Sequence, residues 1–525
     1  MKTVGERMVE GLAARGVTVI FGIPGVHTVE MYRGLSGSPI RHVTARHEQG
    51  CAFMADGYAR ASGKPGVALV ITGPGITNAL TAMAQSREDS VPVLVISGVN
   101  RRDSLGKGMG RLHELPDQQA LVRALCPSRQ ITDPGQVGAV LDWAFATMAT
   151  GRPGPVHIEV PTDVMPLPCP ALAAPAALPA RPMALTADLA QAAALLNAAR
   201  RPVILAGGGA RGLDTALRAL AERLDAPLVQ TVNARGLLYD HPLGVPASPS
   251  LPAVRDLIAG ADQVLVLGSE LGLTDYDMYA TGTMPALDRM IRVDLCADQL
   301  ARHPARLTLC ADAGEFVAGV LPLLVAQDSD GAQRAWTTRA RARADLGDLY
   351  APSPGQLQMV EAIRTALPAC VIVGDSTQPV YAANLFYDHD RPGGWFNAAT
   401  GYGALGFAPG AAVGAALALP GVPVICLIGD GGLQFSPGEL RTAVDENLPI
   451  TFVVWNNAAF MEIAEAMRGA NTEVIGCTPS PLRMEPFAAA CDLPFTSIPE
   501  EPEVLTWALS QACEGPRMIE IRVKR

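Results

Sequence analysis

Residues 426–460 read CLIGDGGLQFSPGELRTAVDENLPITFVVWNNAAF. The apolar run PVICLI (423–428) ends in Gly429-Asp430-Gly431-Gly432. A helical pattern follows, for which Ser436 is the expected N-cap and Pro437 the first helical residue. A second apolar run, PITFVVW, then ends in Asn456-Asn457. A strand–helix–strand unit of this kind carries both strand ends to one edge of a parallel sheet. Asp430 and Asn457 are thereby expected to meet there. A carboxylate and a side-chain amide oxygen suit a hard cation such as Mg²⁺, which completes its octahedron with phosphate oxygens and water. Glycines beside Asp430 let backbone N–H groups approach a phosphate closely. The unit therefore reads as a clamp for a metal and a diphosphate. The competing reading is two ordinary turns that share nothing.

The same alternation extends outward over the whole chain. VTVIF, GVALVIT and VPVLVIS mark the first block, PVILAGG, ADQVLVLGS and MIRVDL the middle one, and CVIVGD, PVICLIGD and ITFVVWNN the last. Near-continuous Val/Ile/Leu runs mark strands buried on both faces. Helical stretches such as EQGCAFMADGYARAS lie between them. The expected fold is α/β, with three doubly wound domains on parallel sheets, at 1–165, 186–325 and 350–525. The Pro/Ala-rich stretch 165–185 reads as a semi-rigid linker, and 326–355 as a connecting helix and loop. At the amino terminus Val4, Met8 and Leu12 fall on one helical face, with Gly16 placed to end that helix.

Composition narrows the function classes. A length of 525 residues exceeds one hydrophobic core, and 49% hydrophobic with 18% charged residues is a globular balance. A formal charge of −10 without a Lys/Arg-rich run argues against nucleic acid or an anionic membrane as the partner. The ten cysteines are scattered and form no CxxC, so a reduced cytosol is the simplest setting. Residues 397–429 lack charge, yet Pro409, Pro420 and Pro423 interrupt them, which opposes a membrane span.

The GDG…NN pair resembles the thiamine diphosphate signature of the pyruvate decarboxylase and acetolactate synthase superfamily. FGIPG, RHEQG, ADGYAR and TGPGITNA match, in order, the pyrimidine-binding domain of that family. GYGALGFAPGAAVGAA matches its GxGAMGF-type segment, and VIVGDSTQ follows a strand of the last block. The resemblance implies thiamine diphosphate and Mg²⁺ as cofactors, with Asp430, Asn457 and the backbone carbonyl of Ala459 as metal ligands. It implies that Gly429, Gly431, Gly432, Asp375, Ser376 and Thr377 face the diphosphate. Gly403 would receive the pyrimidine amino group, and Leu405 would wedge the cofactor into a bent shape. Glu48 takes the position of the carboxylate that activates the aminopyrimidine; read without that context it is a solvated carboxylate at a helix start. In the family this carboxylate and the clamp come from different subunits. A homodimer or homotetramer with interface active sites is therefore implied.

The substrate-facing residues depart from those of acetolactate synthase. Pro24-Gly25-Val26-His27 replaces a Pro-Gly-Gly turn, and GRLHELPDQ supplies His113, Glu114 and Asp117 in place of a Phe-Gln pair. Two imidazoles resemble those of decarboxylases that shuttle protons, so His27 and His113 are the catalytic candidates beside Glu48. FGIPGVHTVEMYRGL, GRLHELPDQ, GDSTQPVYAAN and TVNARGLL look most like 5-guanidino-2-oxopentanoate (2-ketoarginine) decarboxylases. A guanidinium tail calls for a pocket carboxylate. Glu462, Glu114 and Asp117 are the candidates. The alternatives are a carboligase of the acetolactate type and a non-catalytic nucleotide-binding protein of the same fold; intact Glu48, Asp430 and Asn457 argue against the latter. Gly207, Gly209 and Gly212 also match GxGxxG, and acetolactate synthases bind FAD in their middle domain. In so Gly-rich a chain that match is weak, and Asp225 is loosely placed for a ribose.

Overall fold

The computed structural model describes residues 1–277 and 284–523. It contains three six-stranded sheets in which every strand pair is parallel. The first holds β1 (Val19–Gly22), β2 (Arg41–Thr44), β3 (Gly66–Val70), β4 (Val93–Val99), β5 (Ser128–Gln130) and β6 (Pro155–Pro161), in the order β2-β1-β3-β4-β6-β5. The second holds β7 (Pro202–Ala206), β8 (Leu228–Gln230), β9 (Gly244–Val245), β10 (Gln263–Leu267), β11 (Met290–Asp294) and β12 (Leu307–Cys310), in the order β12-β11-β10-β7-β8-β9. The third holds β13 (Val371–Gly374), β14 (Trp395–Asn397), β15 (Val424–Gly429), β16 (Ile450–Asn456), β17 (Phe495–Pro499) and β18 (Arg517–Arg522), in the order β14-β13-β15-β16-β18-β17. The α/β class and the three doubly wound sheets thus agree with the sequence pattern. β3, β4, β7, β10 and β13 are buried throughout, which is why they read as unbroken apolar runs.

Local details follow the chemistry of the ends. The Val4–Ala14 helix buries Val4, Met8 and Leu12, starts at a Thr3–Glu6 capping box, and is followed by Gly16 at φ 82°. Residues 397–429 form the Phe407–Ala418 helix, a turn and β15. Among the described residues no helix is long and apolar enough to cross a membrane. One expectation is corrected. Ser436 and Pro437 do not start a helix: Ser436 Oγ donates to the Gly406 carbonyl at 2.7 Å, and the helix begins at Glu439. A serine hydroxyl committed to another segment cannot cap its own.

The first and third sheets share one core. The Glu48–Ser62 helix lies against the Phe407–Ala418 helix at backbone distance. A Cβ on Gly57 would sit 2.0 Å from the Ala411 carbonyl oxygen, and one on Gly414 would sit 1.9 Å from that of Met54. Only glycine permits this approach. Phe53 and Phe407, both fully buried, meet edge to face at 5.3 Å. Each is worth about 1.5–3 kcal/mol in burial alone. Asp89 ties all three units together. Its carboxylate accepts from Arg60 (2.8 Å) and Gln85 (2.7 Å) of the first, Asn233 (3.2 Å) of the second and Thr400 (2.9 Å) of the third.

Candidate active site

Open α/β sheets bind ligands beyond the carboxyl ends of their strands, where the strand order reverses. In the third sheet those ends carry Asp375–Thr377 after β13, Asp430 after β15 and Asn457 after β16. Asp430 and Asn457 do meet: backbone N–H groups of Asn457, Gly431 and Ala458 draw the Asp430 carboxyl down, against a larger upward push from burial. Asp430 is 5% exposed and Asn457 8%. The glycines are explained by contact. A Cβ on Gly431 would lie 2.5 Å from the Phe460 ring, and one on Gly429 would lie 3.1 Å from Thr377 Oγ1. Ala458 holds φ 53° between Asn457 and Ala459, a strained conformation of the kind concentrated at functional sites.

The two asparagines divide their work. Asn456 Nδ2 donates to Glu520 at 2.6 Å, holding β16 to β18. Asn457 Nδ2 donates to Gln378 Oε1 at 3.1 Å, which orients its Oδ1 the other way, toward the Ala459 N–H at 3.1 Å. Trp455 Nε1 shares the same Gln378 oxygen at 3.2 Å. Gln378 was not anticipated from the sequence. Its signal was faint: the residue after Asp375-Ser376-Thr377 in a matched segment. A buried carboxylate whose local donors are chiefly backbone N–H groups, beside an oriented amide oxygen, fits a divalent cation bound with phosphate. Among the described residues no three His, Cys, Asp or Glu side chains gather as a metal site, so a cation here would draw on amide, backbone and phosphate oxygens beside Asp430.

Asp375 has a different post from the one expected. Its fully buried carboxylate accepts from the N–H groups of Ser376 (3.0 Å), Gly406 (3.3 Å) and Ala408 (3.0 Å). Burial pushes its pKa to about 6. An anion there is held by the start of the Phe407–Ala418 helix and fixes the segment that carries Gly403 and Leu405. Gly403 is exposed at φ 75°, where an added Cβ would meet nothing within 4 Å, and Leu405 is half-buried.

In the first sheet, Glu48 follows β2 as the first residue of its helix. Its Oε2 accepts from Asn78 Nδ2 at 3.0 Å. Asn78 lies on the Pro74–Glu88 helix that follows β3, inside TGPGITNA, and sequence reasoning passed over it. His27 and His113 come together, their rings edge to face at 5.2 Å. The Nδ1 atom of each is buried without a hydrogen-bond partner. Burial, then the neighbouring His113, lowers the His27 pKa, which favours its neutral form. His113 sits at φ 61°, and Asn100 Nδ2 holds the preceding Leu112 carbonyl at 2.9 Å.

The acidic candidates separate. Asp117 caps the Gln118–Arg123 helix, accepting from Ala120 N at 2.8 Å. Glu114 accepts from Met109 N (3.1 Å) and Arg111 N (2.9 Å), which hold its pKa down. Both carboxylates therefore have local duties. Glu462, on the first turn of the Met461–Gly469 helix, has a buried Oε1 without a partner. Burial and Glu465 push its pKa up.

At the β7/β10 reversal lies a cavity of about 1030 Å³, lined in part by Arg152, Arg211, Asn233 and Asp275. Two glycines of the GxGxxG match, Gly207 and Gly209, pack against backbone. A Cβ on Gly207 would lie 2.5 Å from the Gly268 carbonyl oxygen, and one on Gly209 would lie 2.9 Å from Gly268 Cα. Asp225 accepts from Ser329 N (2.8 Å) and Gly331 N (3.1 Å), which pins the connecting helix Gly331–Leu349. Gly207, Gly209 and Asp225 thus each have a structural contact, whereas a Cβ on Gly212 would meet nothing within 4 Å. Purified protein is expected to show no flavin absorbance band; a stoichiometric band released on denaturation would refute this.

Residues 2–121, 189–320 and 375–521 match the N-terminal TPP binding domain, central domain and C-terminal TPP binding domain of thiamine pyrophosphate enzymes. The chain belongs to this family, and thiamine diphosphate is its cofactor. It is accordingly a thiamine diphosphate-dependent 2-oxo acid decarboxylase or carboligase. It is 43% identical to "Probable 2-ketoarginine decarboxylase AruI" of Pseudomonas aeruginosa, over 91% of this chain and 86% of that protein. It is 32% identical to the acetolactate synthase isozyme 1 large subunit of Escherichia coli, over 87% of this chain and 82% of that one. An acetolactate synthase of Mycobacterium bovis is 31% identical, over 87% and 76%.

Proposed function

We propose that the protein decarboxylates a 2-oxo acid with a cationic tail, best 5-guanidino-2-oxopentanoate, to 4-guanidinobutanal and CO₂. The observation that carries this reading is Glu462, a carboxylate with an unpartnered buried oxygen just beyond Asn457. A guanidinium would satisfy it with charge-assisted hydrogen bonds. The similarity to a protein named as a 2-ketoarginine decarboxylase supports the same substrate.

In this reading Asp430, Asn457 and the Ala459 carbonyl hold Mg²⁺. Gly429, Gly431, Gly432, Ser376 and Thr377 line the diphosphate, while Gly403 and Leu405 seat the pyrimidine. Bound thiamine diphosphate supplies an electron sink for the pair left when CO₂ departs. Glu48, steadied by Asn78, carries the proton exchanged with the aminopyrimidine. His27 and His113 deliver a proton to the carbon that has lost CO₂, one of the imidazoles first taking that proton up from solvent. The domains divide at 1–165, 186–325 and 350–525. Two copies pair so that Glu48 of one serves the clamp of the other, as a homodimer or homotetramer. Exposed Val26, Met109, Leu112, Tyr402 and Phe435, all beside site segments, suit such an interface.

The test is product analysis with thiamine diphosphate and Mg²⁺. Ketoarginine should yield aldehyde and CO₂, and Glu462→Gln should raise its KM about 10–100-fold, the weight of one charged hydrogen bond. Efficient conversion of pyruvate to acetolactate with ketoarginine untouched would replace this reading by the carboligase one.

A further inference from the structure

The turn that precedes the Glu48 helix is held from outside its own domain. Glu439, 1% exposed, reaches from the third domain to the turn between β2 and Glu48. Its Oε1 accepts from Arg46 N (3.2 Å) and His47 N (3.1 Å), and its Oε2 from Arg46 N (3.3 Å) and Thr442 Oγ1 (2.8 Å). The Arg46 side chain pairs with Asp445, and Arg41 with Glu446, so the Glu439–Asp445 helix and its next residue grip residues 41–47 at several points. Gly50 leaves the room: a Cβ there would lie 2.1 Å from Glu439 Oε1. The glycine of RHEQG is thus the mate of a carboxylate about 390 residues away in sequence.

We infer that Glu439 is the positioning residue that sets where the Glu48 helix begins, and so where the Glu48 carboxylate points. Helix N–H groups and a buried anion attract one another, and a carboxylate accepting from two successive backbone N–H groups fixes the turn that precedes Glu48. Asn78 then fixes the far end of the Glu48 side chain. The reach of Glu439 also links two sites. Its helix follows directly on the Asp430 turn, so each chain's diphosphate clamp braces the activating carboxylate that the same chain lends to its partner. The inference rests on the reading of Glu48 as the activating group.

The experiment measures hydrogen–deuterium exchange at the thiazolium carbon in the holoenzyme, with cofactor affinity by calorimetry and thermal midpoint alongside. Glu439→Ala and Gly50→Ala disturb the same contact from opposite sides. Both are expected to slow exchange about 10–100-fold, as displacement of a reacting group by an ångström does. Cofactor and Mg²⁺ affinity should stay close to wild type. Glu439→Gln keeps an acceptor oxygen and should restore exchange nearly to the wild-type rate, which a general loss of stability would not predict. If Glu439→Ala does not fold, Gly50→Ala and Thr442→Val carry the test. Wild-type exchange in the folded variants, or Glu439→Gln as slow as Glu439→Ala, would overturn the inference. Glu48→Gln separates the two levels. If it leaves exchange unchanged, the reading of Glu48 fails. If it abolishes exchange while the Glu439 and Gly50 variants exchange normally, only the positioning role fails.

Discussion

Glu48→Gln is expected to slow proton exchange at the thiazolium carbon by about 10²–10⁴-fold, the usual contribution of a positioned acid–base group. That is about 3–5 kcal/mol of barrier. The substitution preserves shape, and the Asn78 amide, 3.0 Å from Glu48 Oε2, can still donate to the glutamine carbonyl. The fold and the diphosphate clamp should therefore survive, since Asp430 and Asn457 stand on a different sheet. Cofactor should bind with near-normal affinity while turnover collapses in step with exchange. Exchange at the wild-type rate would remove Glu48 from the mechanism.

Asp430→Ala should do the reverse, abolishing Mg²⁺-dependent cofactor binding while the unliganded fold persists. Even residues behind metal ligands cost about 10–100-fold in metal affinity, so a ligand itself should cost at least that. The unliganded chain loses little, because burial already works against the Asp430 charge. Thermal melts read this directly. Ligand at a hundred times its Kd stabilises a wild-type protein by about 2.7 kcal/mol. At the same concentrations the variant should gain almost nothing. A full ligand-induced shift in Asp430→Ala would dissolve the clamp.

Much of the molecule could be read from the chain alone, for a physical reason. Strands buried on both faces must be apolar, and turns at their ends must be small and polar. That constraint exposes the three sheets, and the last one delivers Asp430 and Asn457 to a common edge. The structure adds partners that the sequence does not show where a polar side chain had more than one within reach. Ser436 has the chemistry of a cap, but its hydroxyl goes to Gly406. Asp375 has the chemistry of a phosphate neighbour's loop, but its carboxylate holds the Phe407 helix. Asp117 has the chemistry of a substrate ligand, yet it caps the helix that begins at Gln118, accepting from Ala120 N.

What the sequence by itself determined is the alternation of strand and helix, and with it the strand ends on which Glu48, Asp430 and Asn457 stand. Periodicity and turn chemistry are local, so one chain displays them. The tertiary structure alone decided which distant groups those residues would face: Asn78 against Glu48, Gln378 against Asn457, and Glu439 against the turn before Glu48. A hydrogen bond between segments depends on how sheets and helices dock in space, and no spacing along the chain records that.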